Sequence, residues 1–406
     1  MSTKLQGRTA RGAAAADLAC MYMGSTLVTP LYVLYEEAFD FSELMLTLIF
    51  AAYALGNIAS LFVFGRISDQ IGRRRTALPA IGVAVLATLA FLFAAGTAWL
   101  FVARALSGLA IGMASAAAAA WIVDLTRNRK EQRGAEITTG AIFTGLAIAA
   151  LAGGLLAQYG PAPLKLPFII YLVVLAVLAV VVSRTKDTVE DRAESLDEVS
   201  LKPRIGIPPD IRGRFVSPAA TAFAAFAVTG FYVALAPSLL KRDMEVTNLA
   251  VAGAIVCALL VSAAVTAVGT SGLKSRTAML SGASMMVPGV ALLVASQMLA
   301  SLPLLVVAAV VTGVATALGY RGSLQVVNEI APKAQRAEVI ASFQIVCFTG
   351  NAVPVIGIGV ISTIWSPVAA TVSLAAVATL LALVALGMEM GRGRKQKQGR
   401  SQAAAR

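Results

Sequence analysis

The chain contains no histidine, and its three cysteines, Cys20, Cys257 and Cys347, lie far apart inside apolar stretches. Zinc sites, Cys–His nucleophile pairs and disulfide scaffolds all draw on those two residue types, so none of them is expected, and neither is a cofactor. Nucleotide-binding loops of the G-x-x-x-x-G-K-[ST] type are missing, as are Ser/His or paired-Asp constellations within the apolar runs. An enzyme and an ATP-driven machine are therefore not expected. Charge is scarce too: only 13% of the 406 residues are Asp, Glu, Lys or Arg, against about 25% in an average soluble chain. The remainder is 58% hydrophobic, with a mean hydropathy of +0.81. Such a surface calls for lipid as its main solvent.

A bilayer core of about 30 Å is crossed by about 20 apolar residues in a helix. Twelve runs of that kind fit the sequence, at 13–35, 44–65, 77–95, 98–123, 137–158, 164–183, 215–239, 247–269, 277–298, 302–327, 338–363 and 367–388. Outer-membrane strands would alternate polar and apolar over about 10 residues, which stretches such as 77–95 do not. The first run follows Lys4, Arg8 and Arg11 but is too long for a signal peptide, whose apolar region spans about 7–15 residues. It reads as a retained first helix.

The net charge of +12 is distributed by side. Of the 33 Lys and Arg, 28 fall in segments that alternate to one face, three (Lys165, Lys241, Arg242) to the other, and two (Arg104, Arg321) within spans. Basic residues accumulate on the cytoplasmic side, so both termini are expected there, in the cell's inner (plasma) membrane. The positive charge marks topology rather than nucleic-acid binding.

The longest polar stretch, 184–214, holds 14 charged residues with Pro203, Pro208 and Pro209 and reads as a solvated linker or surface helix. It divides the chain into bundles at 13–183 and 215–389, followed by a basic tail at 390–406. Spans 4 and 10 resemble each other: Ser107-Gly108 aligns with Thr312-Gly313, Asp124 with Glu329, and Arg133-Gly134-Ala135-Glu136-Ile137 with Arg336-Ala337-Glu338-Val339-Ile340. Duplicated halves are a common plan of transporters.

After span 2 the chain reads Gly65-Arg66-Ile67-Ser68-Asp69-Gln70-Ile71-Gly72-Arg73-Arg74-Arg75. This resembles the loop signature G-x-x-x-D-[RK]-x-G-R-[RK] of the major facilitator superfamily, at that family's place between spans 2 and 3; Gln70 departs from it where a basic residue is usual. Physically, Gly65 allows close helix approach and Gly72 a sharp turn, while Asp69 suits the positive end of a neighbouring helix dipole. Arg73 can bridge to an acid at the end of span 4, where Asp124 is the candidate. The resemblance implies an all-α fold of two pseudo-symmetric six-helix halves working by alternating access, with Gly65, Asp69, Gly72, Arg73 and Asp124 as a conformational latch.

Span 4 carries Arg104, with Gly108 and Gly112 four and eight residues on, similar to a signature of proton-coupled members. A charge at that depth costs at least ~2.5 kcal/mol, so Arg104 is expected to face the bundle interior, or to snorkel. In span 5, Gly145, Gly153 and Gly154 match the antiporter signature, but Ala149-Ala150 replace its Gly-Pro, so a kink is not expected. The family lines its cavity with spans 1, 4, 7 and 10. Polar stripes that fit are Tyr22 and Thr26 in span 1, Tyr53 and Asn57 in span 2, Tyr232 in span 7, Arg321 and Gln325 in span 10, and Gln344 and Asn351 in span 11. Buried polar groups of this kind also serve as helix–helix hydrogen bonds. Without histidine, a coupling proton must ride on a carboxylate. Asp17 is the acid clearly inside a span, so Asp17, with Arg104, is the expected coupling pair; an acid in a helix's first turn also suits the dipole.

The expected protein is thus a monomeric secondary transporter resembling the drug and sugar efflux branch, exporting a small organic compound against protons. An importer or facilitator of the same fold, and a non-transporting membrane sensor or scaffold, remain open at this stage.

Overall fold

The computed structural model describes residue 5 and residues 7–64, 67–126, 131–189 and 205–404, without the side chains of 67, 69, 116, 131–133, 135–136 and 392–404. Among these residues it is helical, and twelve helices are long and apolar enough to cross a membrane. We number them α1 (Gly7–Phe39), α2 (Glu43–Phe64), α3 (Arg73–Leu92), α4 (Thr97–Asp124), α5 (Glu131–Tyr159), α6 (Leu166–Ser183), α7 (Arg212–Asp243), α8 (Leu249–Gly269), α9 (Ser275–Met298), α10 (Leu302–Ile330), α11 (Arg336–Ile364) and α12 (Pro367–Ala404). Helices dominate because lipid offers no partner for backbone N–H and C=O groups, which must pair within their own segment. Six helices precede the 190–204 stretch and six follow it, forming two halves.

Small residues set the packing within each half. A Cβ added to Gly108 of α4 would strike the Tyr53 carbonyl of α2, and one added to Gly313 of α10 would strike the Leu259 carbonyl of α8. The two aligned glycines therefore make the same contact in their own halves, which gives the sequence repeat a structural counterpart. Such close backbone approach is the usual currency of helix association in lipid.

Two expectations about continuity need correcting. The first span is not one helix: it is α-helical over Gly7–Thr26, tightens into a 3₁₀ turn at Thr29–Leu31, and resumes over Tyr32–Phe39. Pro30 has no N–H to donate to the preceding turn, so the ladder cannot run through it. The linker is not wholly solvated either, since residues 183–189 and 205–207 are hydrogen-bonded to the two halves. As expected from Ala149-Ala150, α5 runs unbroken for 29 residues.

The halves meet most closely on the side opposite the termini, here called the far side. There α5 packs on α8, where a Cβ on Gly253 would meet the Ala150 carbonyl, and α2 packs on α11, where one on Gly359 would meet Thr47. Nearer mid-depth, Ala51 and Ala54 of α2 pack against Phe348 and Ala352 of α11.

Candidate substrate cavity and latch

A cavity of about 580 Å³ lies between the halves. Its wall runs from mid-depth, at Ser25, Tyr53 and Asn351, to the termini-side ends of the helices, at Asp124, Asn328 and Ile340. The far side is sealed instead. Lys241 of α7 pairs with Glu37 of α1, and Arg242 pairs with Glu43 of α2 as well as with Asp243. Ser362 of α11 donates to Glu43 at 3.0 Å, and Gln158 of α5 accepts the Leu249 amide at 2.8 Å. The structure is therefore open towards the termini and closed opposite them.

Of the residues singled out for the cavity, Tyr22, Thr26, Tyr53, Gln344 and Asn351 stand on its wall. Asn57, Tyr232, Arg321 and Gln325 do not. Asn57 is buried between α2 and α4, close to Gly112, and its amide finds no hydrogen-bond partner among the described residues. Tyr232 is likewise fully buried. Arg321 turns to the Leu273 carbonyl at 3.4 Å, in the turn between α8 and α9. One residue earlier on α10, about 100° round the helix, Tyr320 takes the wall position. It stacks on Phe343, meets Phe226 edge-on and donates to Gln344 Oε1 at 3.4 Å. Thr229 and Thr316, 3.2 Å apart, bridge α7 and α10 beside it. In the sequence Tyr320 is distinguished only by its aromatic type, beside the charged Arg321. Asp124 is the sole lining residue among those described that carries a formal charge.

Asp17 and Arg104 both sit away from the cavity wall. Asp17 shares one face of α1 with Met21 and Gly24, four and seven residues on, and those two line a small pocket together with residues of α3, α4 and α6. Tyr22 and Thr26 occupy the opposite face. Asp17 is fully buried, and neither carboxyl oxygen has a hydrogen-bond partner among the described residues. Arg104 is fully buried as well, so it does not snorkel. Its Nη1 donates to the Ser25 carbonyl at 2.8 Å and its Nε to the Tyr32 hydroxyl, with the guanidinium 5.1 Å from the Tyr32 ring centre, 5.7 Å from Phe50 and 5.9 Å from Tyr53. Helix breaks leave carbonyls without an intrahelical donor. Arg104 therefore pins the break in α1 from both sides, within an aromatic box that stabilises its charge.

Of the residues expected to form a latch, Gly72, Arg73 and Asp124 meet at the termini-side ends of α3 and α4. Arg73 Nε lies 3.3 Å from Asp124 Oδ2, and Arg73 Nη1 donates to Ser68 Oγ at 2.9 Å. Ser68 belongs to a short helix, Ile67–Ile71, that also carries Asp69. Gly72 turns the chain into α3 at φ 112°, a conformation open to glycine. Gly65 and the side chain of Asp69 lie outside the described residues.

Comparison with known proteins fits this geometry. The profile of the Major Facilitator Superfamily matches residues 18–299. A curated relative, "Multidrug resistance protein 2" of Bacillus subtilis (strain 168), is 23% identical over 176 residues, which take in 42% of this chain and 43% of that protein. The chain thus spans less than half the length of the curated relative it matches. Among solved structures, a mutant of the nucleoside transporter NupG superposes with a TM-score of 0.74 at 12% identity, covering 94% of this chain and 99% of the other. The human organic anion transporter MFSD10 (TETRAN) superposes with a TM-score of 0.68 at 14% identity, covering 93% and 99%. Twelve helices in two halves around a central cavity, the loop motif and a profile match over most of its length together make this chain a member of the Major Facilitator Superfamily.

Proposed function

We propose that this transporter exports a lipophilic, neutral or cationic organic compound in exchange for protons. The observation that carries the substrate class is the wall of the 580 Å³ cavity, which is aromatic and hydroxyl-bearing and holds one charged group, the acidic Asp124. Among the described residues no cation lines the wall: Arg104 and Arg321 point elsewhere and Arg73 is paired with Asp124, so an anion there would leave water at a cost of several kcal/mol. Export is favoured by the resemblance to a multidrug resistance protein, and proton coupling by the Arg104 signature in α4. In this reading both termini are cytoplasmic, in the plasma membrane, and the cavity opens to the cytoplasm. The moving units are the bundles 13–183 and 215–389, linked by 184–214, with 390–406 as a basic tail, and the protein works as a monomer. Gly65, Asp69, Gly72, Arg73 and Asp124 form the latch that closes the cytoplasmic side.

Asp17 is the proposed proton carrier. Its burial without a described partner suits a carboxyl group that is neutral in one conformation and ionised in another, since an isolated buried carboxylate is costly. Its position behind the cavity wall separates the proton path from the substrate, so coupling would run through α1, whose opposite face carries Tyr22 and Thr26.

The test is transport in inverted membrane vesicles with an imposed pH gradient, using fluorescent aromatic cations and matched anions. Cation accumulation that collapses with the gradient is expected. Uptake by whole cells instead of vesicles would reverse the direction, selective movement of the anions would overturn the substrate class, and absence of counterflow for every compound would leave a sensor or scaffold.

A further inference from the structure

We propose that Asp187 and Thr188, at the start of the linker after α6, are positioning residues of the Arg73–Asp124 cluster. They fasten the beginning of α3 to the end of α4 and thereby hold the loop that the latch uses. This inference rests on the transport reading above.

The first backbone N–H groups of any helix lack intrahelical acceptors and are usually capped by a side chain just before it. In α3 that position is Gly72, which has none to offer. Asp187 fills the role from the other end of the half: its Oδ1 accepts the Arg73 amide at 3.0 Å and its Oδ2 the Arg74 amide at 3.3 Å. A carboxylate there also suits the positive end of the helix dipole. Gly72 is thereby required twice, for its positive φ and because a Cβ at that position would overlap the Asp187 carboxylate.

The next residue acts on the other side of the cluster. Thr188 Oγ1 donates at 2.9 Å to Asp124 Oδ2, the oxygen that also accepts from Arg73 Nε. Arg73 thus receives the linker's carboxylate on its backbone and shares Asp124 with the linker's hydroxyl through its side chain, while its Nη1 holds Ser68 beside Asp69. The strand of linker is itself fixed: Arg74 Nη1 donates to the Ser183 carbonyl at 3.1 Å, and Leu5 brackets Thr185 through bonds to Arg184 and Lys186 at 2.9 and 3.2 Å. At its other end the linker is tied to the second half, where the Gly206 amide donates to Ser342 of α11 at 3.1 Å. Asp124 is a group that Thr188 and Arg73 orient from one side and that the cavity reaches from the other. Losing either linker contact leaves the α3–α4 corner less ordered before the halves close on it, so the closed-cytoplasmic state becomes rarer.

The experiment uses the full chain with its three cysteines replaced by alanine and Thr47→Cys introduced. Thr47 is fully buried on the far-side seam against Gly359, so maleimide labelling there reads how often the far side opens. Asp187→Ala and Thr188→Val are each expected to slow labelling on the order of tenfold, the scale of one charge-assisted hydrogen bond. Thr188→Ser should restore it, and Thr188→Val should slow it no further in an Asp124→Asn background, because both act through one carboxylate. Amide hydrogen exchange over residues 72–78 should quicken in Asp187→Ala. Parental labelling rates in both variants would overturn the proposal, and so would faster exchange with unchanged labelling, which would make Asp187 a helix cap and nothing more. A parent chain that never labels at Thr47→Cys, with any compound or pH gradient, would refute the transport reading instead; exchange over 72–78 would still decide whether Asp187 holds α3.

Discussion

Replacing Arg242 by glutamine tests how the far side is kept shut. Arg242 bridges Glu43 of α2 and Asp243 of its own helix, and Glu43 is also bound by Ser362 of α11 at 3.0 Å, so one guanidinium joins both halves. Two unit charges about 4 Å apart attract by roughly 4 kcal/mol at the effective dielectric of a protein surface. The Arg242 side chain is 40% exposed, however, while Glu43 and Asp243 are only 15% and 16% exposed. Solvent screening and side-chain entropy reduce an exposed pair to about 0–1 kcal/mol. The two mostly buried acids left without their shared cation add to the loss, for a total of about 1–2 kcal/mol, or about 5- to 30-fold in the equilibrium between closed and open far sides. Spin labels at Phe93 and Leu299, exposed by 66% and 71% at the far-side ends of α3 and α9, report that distance, one in each half. Double electron–electron resonance should show a longer component that grows in Arg242→Gln. High salt, which shortens the Debye length to about 3 Å at 1 M, should move the parent towards the variant. Superimposable distributions of parent and variant at low salt would refute the reasoning.

Asp17→Asn keeps the shape but not the proton, so it should retain substrate binding and counterflow while losing transport driven by a pH gradient; gradient-driven transport at the parental rate would remove Asp17 from the coupling path. Gly108→Ala forces a methyl group into the Tyr53 carbonyl and should cost about 1–3 kcal/mol of overpacking, seen as a lower melting midpoint, whereas Gly387→Ala, with open space around it, should not. Tyr320→Leu removes a ring that packs on Phe343 and Phe226 at the cavity wall; the apparent KM for aromatic substrates should rise by about 2- to 10-fold, the equivalent of an aromatic pair, with maximal rate and folding kept.

Sequence alone settled the number and kind of elements. Apolar runs of span length have one low-energy form in lipid, a helix with every backbone group paired internally, and the charges between the runs divide them by side. The α2–α3 loop was legible for a similar reason: Gly72, Arg73 and Asp124 sit at helix ends whose places in the chain fix their depth. Asp69 could be named but not seen, since its side chain lies outside the described residues.

Facing direction was decided by tertiary structure. A helical period says which residues share a face, but the face that borders the cavity depends on where the neighbouring helices lie. Tyr22 and Tyr53 therefore reach the wall, while Asn57, Tyr232, Arg321 and Gln325 pack elsewhere, and Tyr320 takes the position next to Arg321. Charge inside the membrane was no guide to the cavity either: Asp17 is buried away from its wall, and Arg104 holds the break at Pro30 together. The linker gave the least warning. Its composition reads as solvated, yet Asp187 and Thr188 bind a helix start and a carboxylate more than 60 residues away in the chain. Contacts of that separation leave no periodicity in a sequence and exist only once the bundle has brought the ends of α3, α4 and α6 to one corner.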